Sequence, residues 1–220
     1  MTTEQVIEQL KQKADERYHT GMMRFGIKTD KALGVKVPEL RKMAKAIKKD
    51  HELALQLWDT GIHEARILAT MIADPAQVTA AQIDAWVNDF DSWDVCDQAC
   101  GNLFDRTPYA IEKALEFSAS EQEFVKRAGF VLMAEYAVHH KKADDEVFIQ
   151  FFPIIEREAW DDRNFVKKAV NWALRQIGKR NSTLKNLAIG VAKNIALQNH
   201  RVAKWIASNA LAELQKPGKK

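Results

Sequence analysis

The residues best placed to do chemistry lie in one octapeptide, Asp91-Ser92-Trp93-Asp94-Val95-Cys96-Asp97-Gln98. On a helix Trp93 and Asp97, four positions apart, share a face, while Val95 and Cys96 point toward the packed side. An indole and a carboxylate are thereby presented together. The same residues also admit a purely structural role, with Trp93 in the core and Asp91 or Asp94 serving as a helix-start carboxylate. Arg127, within Phe124 to Phe130, and Trp172, within Lys167 to Arg175, are the next candidates. Each has an ordinary alternative, a surface arginine near a helix start and a core tryptophan at helical spacing. The other tryptophans, Trp58, Trp86, Trp160 and Trp205, are assigned mainly to packing. His63, His139 and His140 are weighed as well, since histidine is the usual side chain to change charge near neutral pH. The last two are adjacent, face different directions on a helix, and are assigned to a helix end. Cys96 and Cys100 sit four apart without a His or Cys partner at metal-ligand spacing, so neither a disulfide framework nor a zinc site is expected. The chain has no glycine-rich phosphate loop and no serine elbow, which argues against a nucleotide hydrolase or an acyl-transfer enzyme.

The elements that must position these side chains read as helices throughout. Thr107-Pro108, Asp74-Pro75 and Val37-Pro38-Glu39 predict helix starts with proline in the first turn. Thr79 with Gln82 and Ser120 with Glu123 predict capping boxes. Between the starts, apolar residues recur at helical spacing, as in Ile83, Trp86, Val87 and Phe90, and no sustained alternation suggests a strand. About a dozen helices are expected, most of about 10 to 17 residues, joined by short polar links such as Gly178 to Ser182 and His139 to Asp144. Four segments echo one another: Glu64 to Ala69, Val125 to Phe130, Phe165 to Val170 and Arg201 to Ile206, each with basic residues before a small, apolar run. Their intervals of roughly 35 to 60 residues would hold one or two helix pairs, as in degenerate HEAT repeats. The expected fold is therefore all-α, a right-handed-type solenoid of antiparallel helix pairs. If the second helices of successive pairs line one side, their basic first turns make a basic concave face.

A length of 220 residues, with 46% hydrophobic and 29% charged, suits one domain over residues 1–214, followed by a flexible tail from 215 to 220. Glu4 and Glu8 stand where a signal peptide would carry positive charge, and no stretch approaches the roughly 18 apolar residues of a membrane span, so a cytoplasmic protein off the membrane is expected. The net charge of +3 says little, but its distribution says more. Arg163 to Ala212 contains no acid, yet holds Arg163, Lys167, Lys168, Arg175, Lys179, Arg180, Lys185, Lys193, Arg201 and Lys204. Such segregation favours a polyanionic partner, unless the run is only a solvated face.

With those motifs in place, Trp93-Asp94-Val95-Cys96-Asp97 resembles the Trp-Asp-x-x-Asp segment of the AlkD-like family of HEAT-repeat bacterial alkylpurine DNA glycosylases. Gly34 to Arg41 resembles that family's Gly-x-x-x-Pro-x-x-Arg helix start, Phe124 to Ala128 its arginine-bearing segment, and Phe165 to Arg175 its Lys-Ala-x-x-Trp-x-Leu-Arg helix. The order is kept from about Gly21 onward, while Tyr18 to Leu33 matches poorly. The resemblance implies that Asp97 is the catalytic carboxylate, that Trp93 and Trp172 contact the lesion and its sugar, and that Arg127 holds a nearby phosphate. Lys126, Arg163, Lys167, Lys168, Arg175, Lys179 and Arg201 would add to the grip on double-stranded DNA.

The implied reaction is hydrolysis of the N-glycosidic bond of cationic N3- or N7-alkylated purines without base flipping, by a monomer needing no metal or cofactor. An alkylated purine already carries positive charge and leaves readily, so the protein has only to stabilise the oxocarbenium-like sugar and orient a water. The alternatives are a non-catalytic module of the same fold that binds unusually shaped DNA and, less favoured by the acid-free run, a scaffold for a protein partner.

Overall fold

Apolar spacing and polar caps produce helices along the whole of the described chain, residues 1–216 of a computed structural model, with no strand among them. Residues 217–220 of the expected tail lie outside the described residues, and Gln215 and Lys216 close the last helix. The chain packs as two compact units, one from Met1 to Thr107 and one from Pro108 onward, where the sequence suggests one domain.

The first unit holds α1 (Thr3–Gln12), α2 (Glu16–Met22), a 3-10 turn (Met23–Phe25), α3 (Val37–Ile47), α4 (His51–Asp59), α5 (His63–Ile72), α6 (Ala80–Asn88), α7 (Trp93–Asn102) and a second 3-10 turn (Phe104–Arg106). Helix α4 pairs with α5, and α5 packs on α3 and α7. In its core Trp58 and Trp86 stack with their centroids 4.0 Å apart, and the Arg66 guanidinium covers Trp58 at 5.2 Å. The second unit holds α8 (Ala110–Ser118), α9 (Glu123–His139), α10 (Asp145–Ile149), α11 (Phe152–Arg157), α12 (Asn164–Gly178), α13 (Ser182–Leu197) and α14 (Arg201–Leu214). Here α8 pairs with α9 and α13 with α14, while α12 packs on α9, on α13 and on α14.

The four echoing segments begin α5, α9, α12 and α14, of which α5, α9 and α14 are the second helices of the pairs just described. A second regularity lies in the hydrogen bonds. In the first unit the Leu33 amide reaches Glu64, Trp58 reaches Asp89 and His63 reaches Asp94, each across 31 positions. In the second, Arg127 reaches Phe165 across 38 positions and Asn171 reaches Ile206 across 35. Equivalent places in consecutive helix pairs thus face each other, as stacked repeats require.

Three predicted starts differ from the structure. Asp74-Pro75 opens a turn, with the Asp74 carboxylate accepting from the Ala76 amide and from Gln77. Helix α8 begins at Ala110 rather than beside Thr107, whose hydroxyl donates to the Phe104 carbonyl and closes the preceding 3-10 turn. Ser120 accepts from the Gln122 amide in a short turn, so α9 begins with Gln122 as its N-cap and no capping box. In each case the small polar side chain satisfies a nearer backbone group than the one that would start a helix.

Gly129 in the middle of α9 lets that helix approach α8, because a Cβ there would lie 2.4 Å from the Ser118 nitrogen and 2.9 Å from the Ala114 carbonyl oxygen. Gly129→Ala is expected to lower stability by about 1–3 kcal/mol, the usual range for overpacking. Gly190→Ala in α13, which meets nothing within 4 Å, is expected to leave stability unchanged or raise it slightly. Thermal or urea unfolding of the two variants checks the pair.

Candidate functional site

The octapeptide is placed by α5. Ser92, extended at φ −148° and ψ 152°, is the N-cap of α7, and Trp93 is its first residue. Val95, Cys96, Ala99 and Cys100 are buried, whereas Trp93, Asp94, Asp97 and Gln98 are half-buried along the other side. The spacing argument therefore holds: Trp93 and Asp97 share a partly open face one turn apart. Trp93 is not a core residue, and its indole N–H donates to the Phe25 carbonyl at 3.0 Å.

Asp94 is the helix-start carboxylate. One oxygen accepts from the Val95 amide at 3.1 Å, and the other lies 2.8 Å from His63 Nε2. Burial disfavours the charged imidazole, but the hydrogen bond and charge of Asp94, helped by Glu64 and Asp91, raise the His63 pKa above its ordinary value. Nothing in the spacing of the sequence singles out His63 as the partner of this segment. Next to it, the buried Glu64 carboxylate accepts from the amides of Leu33 at 2.8 Å, Gly34 at 2.7 Å and Val35 at 3.1 Å. Gly34 has φ +78°, and a Cβ there would lie 2.6 Å from the Asp15 carbonyl oxygen. The glycine of the Gly34-to-Arg41 motif is thus required by the turn that α5 fixes. Tyr18 of α2 lies in the same surroundings, its pKa raised by burial and then by Asp94 and Glu64.

In the second unit Trp172 is half-buried on α12, one turn from the exposed Lys168, so these two share an open face. Arg127 is buried and donates to the Phe165 carbonyl at 2.6 Å, joining α9 to the start of α12. Lys126 is also buried rather than presented at the surface. Its ammonium lies 2.6 Å from Glu158 and 3.2 Å from Asp161, and 5.4 Å from the Trp160 ring centroid. Asp161 also receives Arg163; burial raises its pKa, but the hydrogen bonds from Arg163 and Lys126 prevail and hold it below the ordinary carboxylate range.

The acid-free run is less free of acids in space than in sequence. Arg175 and Lys179 both pair with Glu213, the first acid after the run. Arg180 donates to the carbonyls of Ala137, at 2.7 Å, and Ala143, at 3.1 Å. Lys168 and Arg201 are exposed, and Lys167 is half-buried with its ammonium 5.0 Å from the Trp205 centroid. Trp160 and Trp205, assigned to packing from the sequence, are 54% and 41% exposed. Their helical spacing does not reveal that Trp160 follows the end of a short helix and that Trp205 sits on the outer side of α14.

The His63–Asp94 pair fixes a sign for pH dependence. A raised folded-state pKa contributes stability that is complete below the unfolded value of about 6.5 and lost as pH rises through the folded value. The difference in unfolding free energy between the native protein and Asp94→Asn is therefore expected to shrink as pH rises from about 6 toward 8. Urea titrations across that range measure it, and a difference that grows with pH contradicts the pairing.

The profile of the DNA alkylation repair enzyme family matches residues 6–214. No curated protein matches the chain. Among solved structures, one described as belonging to a new family of proteins related to the HEAT-like repeat DNA glycosylases with affinity for branched DNA structures superposes with a TM-score of 0.80. The match covers 100% of this chain and 99% of that one at 20% sequence identity, which establishes a shared HEAT-like fold. With nearly its whole length matched by the profile, the chain belongs to the DNA alkylation repair enzyme family.

Proposed function

We propose that this protein is a monofunctional DNA glycosylase that releases cationic N3- or N7-alkylated purines from duplex DNA, with Asp97 as its catalytic carboxylate. The observation that carries this reading is the Trp93–Asp97 pair, half-buried on one face of α7 in a member of a DNA alkylation repair family. The bond between the sugar C1′ and the base nitrogen breaks with its electron pair moving to the base, which leaves neutral. Positive charge grows on the sugar, where the Asp97 carboxylate stabilises it and orients a water for attack on C1′. The water's oxygen bonds to C1′ and its proton passes to the carboxylate or to solvent. The Trp93 indole lies against the cationic base and sugar. Because the leaving group needs no general acid, one carboxylate suffices, and the base is not drawn into an enclosed pocket.

Each unit brings its own indole and cations to the duplex. In the second unit these are Trp172, Lys168, Lys167 and Arg201, since Lys126, Arg163, Arg175 and Lys179 are matched by Glu158, Asp161 and Glu213. Arg127 acts from its buried place by setting the start of α12 through the Phe165 carbonyl. A second reading, a binder of branched DNA without catalysis, is favoured by the description of the solved relative.

Wild type is expected to release 7-methylguanine from methylated duplex DNA, and Asp97→Asn to bind the same DNA with release reduced by at least about 100-fold, a typical loss for removal of a group that stabilises the transition state. Binding without release by wild type supports the second reading instead. Lys168→Ala combined with Arg201→Ala is expected to reduce the slope of log affinity against log salt by roughly 2, whereas Lys179→Ala leaves it nearly unchanged.

A further inference from the structure

The 3-10 turn Met23–Phe25 displays two large apolar side chains that the first unit does not cover, Met23 at 59% exposure and Phe25 at 68%. The turn is held firmly. Met22 and Ile27 are buried on either side of it, the Gly26 amide donates to the Met23 carbonyl at 3.0 Å, and Gly26 turns the chain back at φ +74°. The Phe25 carbonyl accepts the Trp93 indole N–H at 3.0 Å, so the same indole that faces the lesion in the proposed reaction fixes the tip. Arg24 lies between the two apolar residues and Lys28 follows closely, both exposed. Exposed apolar side chains on a braced turn, flanked by cations and tied to a DNA-facing residue, have the chemistry of a wedge that enters between base pairs while its neighbours meet phosphates. An amphipathic helix laid along a membrane surface is a poorer match, because a three-residue turn carries no extended apolar face.

We propose that Met23 and Phe25 form a wedge that enters the minor groove beside the lesion and partly unstacks one base step, opening the sugar of the damaged nucleotide to Asp97 and Trp93. This deepens the glycosylase reading and rests on it for the position of the DNA. It also gives a use to the stretch from Tyr18 to Leu33, where the motifs of the sequence run out. Arg24 and Lys28 would contact the phosphates flanking the opened step. Partial unstacking costs less than full extrusion and is least costly at a damaged base, so the wedge favours lesions without enclosing them.

The test uses a duplex carrying 7-methylguanine with 2-aminopurine as its neighbour, whose fluorescence rises on unstacking. The full-length wild type is expected to raise that signal and Phe25→Ala to abolish the rise, with Met23→Ala intermediate and Phe25→Trp close to wild type. Affinity of Phe25→Ala for undamaged duplex stays within about twofold, because the phosphate contacts remain, while its base release falls on the order of tenfold. The melting temperatures of these variants match wild type, since both side chains are exposed. A flat signal with wild type, or an undiminished one with Phe25→Ala, overturns the wedge whether or not base release occurs. A wedge signal without any release leaves the wedge standing and removes only the catalytic reading.

Discussion

The first turn of α5 is the constraint on which the candidate site depends. His63 and Glu64 are consecutive and almost fully buried, and each faces a group of opposite character. Glu64 gathers three backbone amides of the Leu33-to-Val35 turn, and His63 meets the Asp94 carboxylate at the start of α7. Buried charges are tolerated only when paired or hydrogen-bonded, and breaking such a pair leaves an uncompensated charge. The two interactions thus fix the chain entering α3 and the first turn of α7 from one place. Trp93 and Asp97 take their positions from that turn, and Trp93 in turn fixes Phe25.

The second unit solves a related problem with its cations. Lys126 and Arg127 are adjacent on α9, yet one is neutralised by Glu158 and Asp161 while the other reaches the Phe165 carbonyl. Both tie α9 to the start of α12, so these residues serve the stacking of helix pairs first. Among the exposed cations of this unit, Lys168 and Arg201 stand near the starts of α12 and α14. This division of labour explains how a chain with a net charge of only +3 can offer a local basic surface while keeping its interior charges matched.

Much of this was legible in the sequence because it follows from periodicity. The sharing of a face by Trp93 and Asp97 and the burial of Val95 and Cys96 need only the 3.6-residue repeat, and the echo of four segments at helix starts needs only their intervals along the chain. The helix starts at Thr79 and Val37 were also readable, since the cap or proline acts within its own turn. What was not legible depends on partners distant in the chain. The 31-position link from His63 to Asp94 is a property of stacking, and charge segregated along the chain is not segregated in space when Glu213 folds back onto Arg175 and Lys179. Trp160 and Trp205 show the same limit, because an indole at helical spacing can lie on either side of a helix until its neighbours are known.

The central claim is that the protein supplies stabilisation of sugar charge and leaves activation of the leaving group to the lesion itself. It is tested most directly by comparing base release from two duplexes of identical sequence, one bearing 7-methylguanine, which is cationic, and the other 1,N6-ethenoadenine, which is neutral. With no general acid assigned to the site, the account predicts release of the cationic base and none of the neutral one. Release of both at similar rates contradicts it, because the neutral purine would require a proton donor that this site does not assign.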